Sequence, residues 1–445
     1  MQARANPRQI SGMTAFVVVW IGQIVSILTT QMSQFALTIW AYEKTGSVTA
    51  LGLVQVFYIA PFLIISPIAG AMVDRYNRKR MMMVSDVGAL VATLFILVMQ
   101  AVGALQIWHL YAAAILNGLA NSFQWPAYSA SVSLMVPKEQ LGRANGLMSL
   151  MDQGPGVLAP LLAGALLPFI HLAGIVVLDF VTYLLALGAL ALVFVPQPPQ
   201  TSEGAQSQGH FLQEVTYGFR YIFARPSLLG LQMVFFFGNF FSGIAFTLLA
   251  PMVLARTHNS EISLASVQTA GAVGGILGAI IMSAWGGFKR RTHGVLIGWI
   301  WFGLFEGIVL GLGRSVPVWM LAVFISALSG PLTNGSNQAI WQSKVAPDVQ
   351  GRVFAARRLI AWFTNPITPI IAGLLADGWL EPAMRSETSL SRVFGPLVGT
   401  GPGTGMALIW CATGVCMVLV GLAGYAFKAV RNAEAILPDH TATQG

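Results

Sequence analysis

The stretch Gly70-Ala71-Met72-Val73-Asp74-Arg75-Tyr76-Asn77-Arg78-Lys79-Arg80 places five charges within the seven residues from Asp74 to Arg80. An uncharged run enters it from Thr45, and the chain turns apolar again at Met81. So tight a basic knot between two membrane-length segments reads as a short cytoplasmic loop, because Lys and Arg are retained on that side. Composition agrees: of 445 residues 56% are hydrophobic and only 9% charged, and the mean hydropathy is +0.71. Globular domains are about one quarter charged, so this is a polytopic membrane protein. The formal charge of +8 does not signal nucleic acid, since the basic residues sit in short loops between apolar runs, where they orient helices. The two cysteines, Cys411 and Cys416, lie in the last apolar run and do not share a helical face, so no disulfide or metal site is expected. Arg4 and Arg8 precede a long apolar run without a small-residue cleavage site, which reads as a retained first helix.

At roughly 20 apolar residues per crossing, twelve helices are expected. They fall near 14–40, 48–72, 82–104, 107–134, 144–168 and 173–195, then 227–254, 263–285, 294–313, 316–341, 354–376 and 404–427. All must be helical, because an open sheet edge does not survive in hydrocarbon. Residues 1–195 therefore read as an N-terminal six-helix bundle and 227–445 as a C-terminal one. Residues 196–226 form a linker, rich in Pro and small polar residues from Pro196 and ending in an amphipathic helix over 211–223 on the cytoplasmic face. With both termini cytoplasmic, 19 of the 24 basic residues fall on one side, leaving Lys44, Arg256, Arg314, Arg385 and Arg392 on the other. That imbalance sets the expected orientation in the plasma (inner) membrane.

The halves repeat. Val136-Pro137-Lys138-Glu139-Gln140-Leu141-Gly142-Arg143 is echoed by Val345-Ala346-Pro347-Asp348-Val349-Gln350-Gly351-Arg352 at an offset of 209, and Pro160, Ala163 and Gly164 map onward to Pro369, Ala372 and Gly373. A parallel repeat of six helices is a transporter architecture. Gly70, Asp74, Arg75, Arg78 and Lys79 resemble the loop signature of the major facilitator superfamily, Gly-x-x-x-Asp-Arg-x-Gly-Arg-basic. Asn77 stands where that family has glycine; asparagine tolerates a left-handed turn. Within the family, 136–146 and the glycine-rich 399–405 are similar to the macrolide-efflux and enterobactin-exporter branch of drug:proton antiporters. The resemblance implies two pseudo-symmetric bundles and export of amphipathic small molecules by proton antiport and alternating access. The alternative is an importer or uniporter of a small polar nutrient. It also implies a substrate cavity between the halves, lined by the first, fourth, seventh and tenth helices.

Those helices carry the amides. The first has Gln23, Thr30 and Gln34; the fourth Asn117, Asn121, Gln124 and Trp125; the seventh Gln232 and Asn239; the tenth Asn334, Asn337, Gln338 and Trp341. An unpaired buried amide costs about 1–3 kcal/mol, so the set points to a wet cavity, although interhelical hydrogen bonding would account for single members. Four carboxylates lie within helices. Asp86 and Asp179 sit near helix ends and read as structural, Asp86 paired with the basic loop. Asp152 lies nine residues past Arg143, about 13 Å along the axis and near the midplane. It reads either as a proton carrier or as a structural ion pair; an inward proton crossing 100 mV would release about 2.3 kcal/mol. Glu306, buried in the ninth helix, is a second coupling candidate. The resemblance makes Gly70, Asp74, Arg75, Arg78, Lys79 and Arg80 a conformational latch, with Asp74 capping the eleventh helix and the cations pairing across the seam. Many drug antiporters carry an arginine in the fourth helix, where Asn117 stands here. No phosphate-binding loop occurs, and all six histidines lie in loops or at helix ends, so no enzyme, cofactor or metal is expected. A monomer that meets small molecules, protons and lipid is expected.

Overall fold

The computed structural model describes residues 10–45, 48–198 and 211–440; Arg4, Arg8 and the 199–210 part of the expected linker lie outside them. The helices of the first half are α1 (Gly12–Thr45), α2 (Val48–Arg75), α3 (Arg78–Ala101), α4 (Ile107–Met135) and α5 (Leu141–Leu192). An amphipathic helix follows, α6 (Phe211–Phe223), and then α7 (Pro226–Thr247), α8 (Leu249–Arg256) and α9 (Glu261–Trp285). Next come α10 (Arg291–Phe302), α11 (Val316–Lys344), α12 (Gln350–Trp362), α13 (Thr368–Leu375) and α14 (Thr404–Ala426). No strand is named among the described residues; Ile10 and Val193 form one isolated bridge.

Nine described segments are long and apolar enough to cross a membrane, three fewer than expected, and three features account for the difference. The fifth and sixth expected crossings follow each other without a loop: α5 comprises two helices that meet at His171, where the backbone (φ 54°, ψ −179°) is not helical, and so they count as one segment. The fourth, α4, is 29 residues long but carries many small and polar side chains. The eleventh is broken between α12 and α13, at Pro366, which lacks the amide hydrogen to continue a helix. Asn77 also departs from expectation: its φ of −61° is not left-handed, and its side chain caps α3 by accepting from the Arg80 amide at 3.1 Å.

The repeat is carried into the backbone. Adding 209 to the ends of α4 gives those of α11, and adding it to the 3₁₀ turn Lys138–Gln140 gives the turn Pro347–Val349. Gln338 donates to the hydroxyl of Ser129, its own mate at that offset. In a twofold arrangement a residue touches its mate only on the axis, so α4 and α11 meet there.

Two seams join the halves at the end of the molecule that bears the 70–80 loop, here the basic end. At one, α2 meets α12 so closely that a Cβ on Gly70 would lie 2.5 Å from the carbonyl oxygen of Gly351. At the other, α5 meets the end of α9, and Gly142, the mate of Gly351, abuts the Gly286 carbonyl. At the opposite end, Glu381 accepts from the amides of Gly403 and Met406, pinning the glycine-rich run ahead of the last helix. Gly399, Gly401 and Gly403 have φ of 89°, 116° and 81°, which a side chain would strain.

The tail closes the basic end. Asp439 pairs with Lys138 of the first half and, at 2.8 Å, with Lys344 of the second, while the His440 amide donates to Ser343 O. Partial burial would raise the Asp439 carboxyl, but the two lysines outweigh it and hold it below the usual carboxylate range. A depressed acid contributes what it holds above its unfolded pKa of about 3.9 and loses it as pH falls through the folded value. Proteolytic release of the tail should therefore be flat around neutrality and rise only in strong acid. Asp439→Asn should release it several-fold faster around neutrality, the difference closing in strong acid where the parent carboxyl is itself protonated.

Candidate functional site: an acidic cavity above a closed seam

A cavity of about 690 Å³ runs from mid-depth toward the end opposite the basic end. Its wall comes from α1 to α5 and includes Gln23, Thr30, Gln34, Asn117, Asn121, Gln124 and Asp152. Spacings of three and four put Asn117, Asn121 and Gln124 on one face of α4. The wall also takes in Asp86, Asp179, Tyr58 and Tyr183, while no Lys, Arg or His lines it among the described residues.

The acids differ in how they are held. Asp86, expected to pair with the basic loop, instead accepts from Gln23 Nε2 at 3.0 Å, and Gln23 Oε1 accepts from Gln124 Nε2 at 3.1 Å. Asp179, expected to be a helix-end contact, is buried and accepts from Thr30 at 2.8 Å, Thr93 at 3.2 Å and Thr29 at 3.3 Å. Thr30 also lies 3.1 Å from the Tyr183 hydroxyl. Asp152 has no such cradle and is exposed to the cavity. Sequence reading missed Asp86 and Asp179 because depth along a helix says nothing about which way the side chain faces. The hydroxyls on α1 and α3 were the available signal.

The remaining expected cavity residues do not line this space. Gln232 is buried and donates to Arg357 O at 3.2 Å. Asn239 is half-buried on α7, and Asn334 donates to its own helix at Gly330 O, 3.1 Å away. Asn337 Oδ1 accepts from Trp341 Nε1 at 3.0 Å, and both residues are buried. Gln338 belongs to the seam: besides Ser129 it meets Arg357, whose guanidinium donates to Gln338 Oε1 at 2.6 Å. Gln342 extends that seam, donating to Ser129 O at 2.9 Å and accepting from Asn145 at 2.8 Å. Trp125 sits beneath the cavity, its ring 4.8 Å from the Arg358 guanidinium. Glu306 lies in a π-helical turn, Gly303–Val309, buried and accepting from Ser326 at 2.8 Å, away from the cavity.

Below the seam, the 70–80 loop grips the other half. Asp74 accepts from the amides of Gly351 (2.6 Å) and Arg352 (2.8 Å), where an acid meets the positive end of α12. Arg78, fully buried, donates to Ala130 O at 2.8 Å and to Pro347 O, with Asp74 at 3.8 Å. Lys79 does not cross the seam; it donates to Ala191 O and Val193 O, each at 2.7 Å, at the end of α5. Arg75 and Arg80 are exposed.

All of the described wall comes from the first half, so the cavity is not shared between the halves as expected; two helical bundles joined at one end, one of them holding a polar space, are nevertheless the build of a membrane transporter. Residues 19–286 match the Major Facilitator Superfamily, and the chain belongs to that family. It is 25% identical to macrolide efflux protein A of Streptococcus pyogenes, over 81% of this chain and 89% of that one. To the enterobactin exporter EntS of Salmonella typhimurium it is 23% identical, over 85% and 88%. Its fold matches a bacterial homologue of the iron transporter ferroportin with a TM-score of 0.67 at 15% identity, over 93% of this chain and all of that one.

Proposed function

We propose that this transporter exports weakly cationic, amphipathic small molecules from the cell in exchange for protons. The observation that carries this reading is a space of about 690 Å³ whose wall holds three carboxylates and no base among the described residues. A space of that size suits a drug-sized solute. Its wall offers apolar surface from Ile27, Leu37 and Val54, and amides to orient polar groups. Asp86 and Asp179, which accept only from an amide and hydroxyls among the described residues, attract either an organic cation or a proton, and competition between the two is the basis of exchange. The 19-to-5 division of basic residues supports a cell-membrane protein with both termini cytoplasmic, so the basic end faces inward. On that orientation the cavity faces outward here, and Asp152, exposed to it, is the acid an external proton meets. The chain acts as a monomer, and the 70–80 loop acts as the latch that holds this access state. The names of the relatives, which include a macrolide efflux protein and an enterobactin exporter, support export.

Everted vesicles test the reading. A permanently cationic amphiphile should be taken up when the lumen is acid, and an uncharged analogue much less. Asp152→Asn should abolish the proton-driven component and leave passive exchange. Asp86→Asn or Asp179→Asn should each lower cation transport about tenfold, the scale of one charge-assisted contact. Downhill, pH-independent movement of a small polar nutrient with none of these effects would establish a uniporter instead.

A further inference from the structure

Beneath the cavity floor the wall continues as aromatic rings. Phe62 lies one turn of α2 past Tyr58, and Trp125 one turn of α4 past Asn121, so each shares a face with a residue that lines the cavity. Between the two rings sits a cation from the other half. The guanidinium of Arg358, on α12, is 4.6 Å from the centre of the Phe62 ring and 4.8 Å from that of Trp125. Trp362, one turn along α12, closes a third side at 4.5 Å and packs on Phe62 with ring centres 5.3 Å apart. Phe62 is buried, and so is Nη1 of Arg358, which has no hydrogen-bond partner among the described residues.

Three ring faces turned on one positive charge make the kind of cage that recognises an organic cation. A guanidinium placed for structure alone would engage its fork of donors with oxygens. Arg78 does so in this same molecule, with two carbonyls and an acid. The internal repeat separates the two roles. What the scaffold itself demands recurs at the offset of 209, as the close contacts of Gly142 and Gly351 do. The cage does not recur. The mates of Phe62, Trp125, Arg358 and Trp362 are Gly271, Asn334, Ser149 and Gln153, which offer neither ring nor charge. The cage thus belongs to one seam only, on the two helices whose faces run up into the acidic wall.

We infer that Phe62 and Trp125 form a binding site for the cationic head of the exported molecule, and that Arg358 is a built-in competitor which occupies this site when the inner seam is closed. The inference rests on the export reading and adds to it a site and an ejection step. With the halves apart, Arg358 and Trp362 leave together on α12, and the two rings face a solute arriving from the cytoplasm. As the halves close, the guanidinium returns to the rings and displaces the solute's cation toward Asp86 and Asp179, from which it leaves outward. One cation replaces another at the rings, so neither state leaves them empty, and nothing is covalently transferred. The ligand class follows from the faces: a bulky, weakly hydrated quaternary ammonium, phosphonium or guanidinium, and not a small hydrated ion.

Equilibrium binding of tetraphenylphosphonium to the purified full-length protein tests the site. Arg358→Ala, which vacates the cage, should tighten binding about tenfold and leave that of an uncharged analogue of the same size unchanged. Arg358→Lys, which keeps a cation among the rings, should stay within about twofold of the parent. Ethylguanidinium should refill the vacated cage, competing with tetraphenylphosphonium in Arg358→Ala but not in the parent. Adding Phe62→Leu or Trp125→Leu to Arg358→Ala should remove the gain. A second arm keeps Arg358 in place and so does not depend on how its variants fold. In everted vesicles Phe62→Leu and Trp125→Leu should each raise KM for tetraphenylphosphonium about tenfold with kcat little changed, whereas a structural role would lower kcat for charged and uncharged solutes alike. Unchanged affinity in Arg358→Ala, or an unchanged KM in both ring variants, overturns the inference. Proton-driven efflux surviving in that case would leave the export reading standing without it. The expected competition in a protein whose efflux ignores the proton gradient would sink the antiport reading alone.

Discussion

Gly351→Val is expected to leave the protein folded but unable to close its basic end, with transport lost by about a hundredfold. A Cβ at Gly351 would sit 2.5 Å from the Gly70 carbonyl oxygen and 2.6 Å from Asp74 Oδ1. The first neighbour is backbone and cannot rotate away, and the second is the carboxylate that caps α12. Overpacking of this kind costs about 1–3 kcal/mol, and here it falls only on the state in which the halves touch, so the equilibrium shifts by up to about a hundredfold. The repeat makes the same demand at Gly142, where alanine should fail in the same way against Gly286. Gly164 and Gly373, also mates at the offset of 209, have open space where a Cβ would go. Alanine at either should transport normally. Reaction of a cysteine placed at buried Ser129 with a membrane-impermeant reagent from the cytoplasmic side reads the seam; protection as strong in Gly351→Val as in the parent would refute the argument.

Arg78→Leu should cost the most stability of any single change at the loop. Its side chain is 0% exposed and joins three partners from different segments: Asp74 of α2, Ala130 O of α4 and Pro347 O of the turn before α12. Removing one member of a buried charged pair costs about 3–5 kcal/mol, because the remaining charge and the carbonyls are left without donors. Lysine should rescue little, since a point charge cannot reach opposed carbonyls as a planar fork does. Exposed Arg75→Leu is the control. Melting curves in detergent decide the matter, and an Arg78→Leu curve that overlays that of Arg75→Leu would contradict this account.

The sequence by itself determined the architecture, because the terms that set it are local or periodic. Crossing segments follow from runs of apolar residues long enough for the bilayer, and the knot at 74–80 marks a turn between two of them. The duplication at an offset of 209 was legible in Val136–Arg143 and Val345–Arg352, and it reappears in the matched ends of α4 and α11. Amide spacing on the first and fourth helices pointed to Gln23, Thr30, Gln34, Asn117, Asn121 and Gln124, all of which line the cavity. The seventh and tenth helices carry the same residue types, but Gln232, Asn337 and Gln338 are spent on other contacts. Composition is blind to that difference, because an amide serves a cavity and a seam equally well. What only the tertiary structure decided is rotation and partnership. Asp86 and Asp179 turn into the cavity and not toward helix ends, and Arg358, counted in sequence as one more inner-side cation, reaches into the opposite half. Helical period fixes the angles between side chains on one helix, but the angle of the whole helix to its neighbours depends on close contacts such as Gly70 with Gly351, which join residues far apart in the chain.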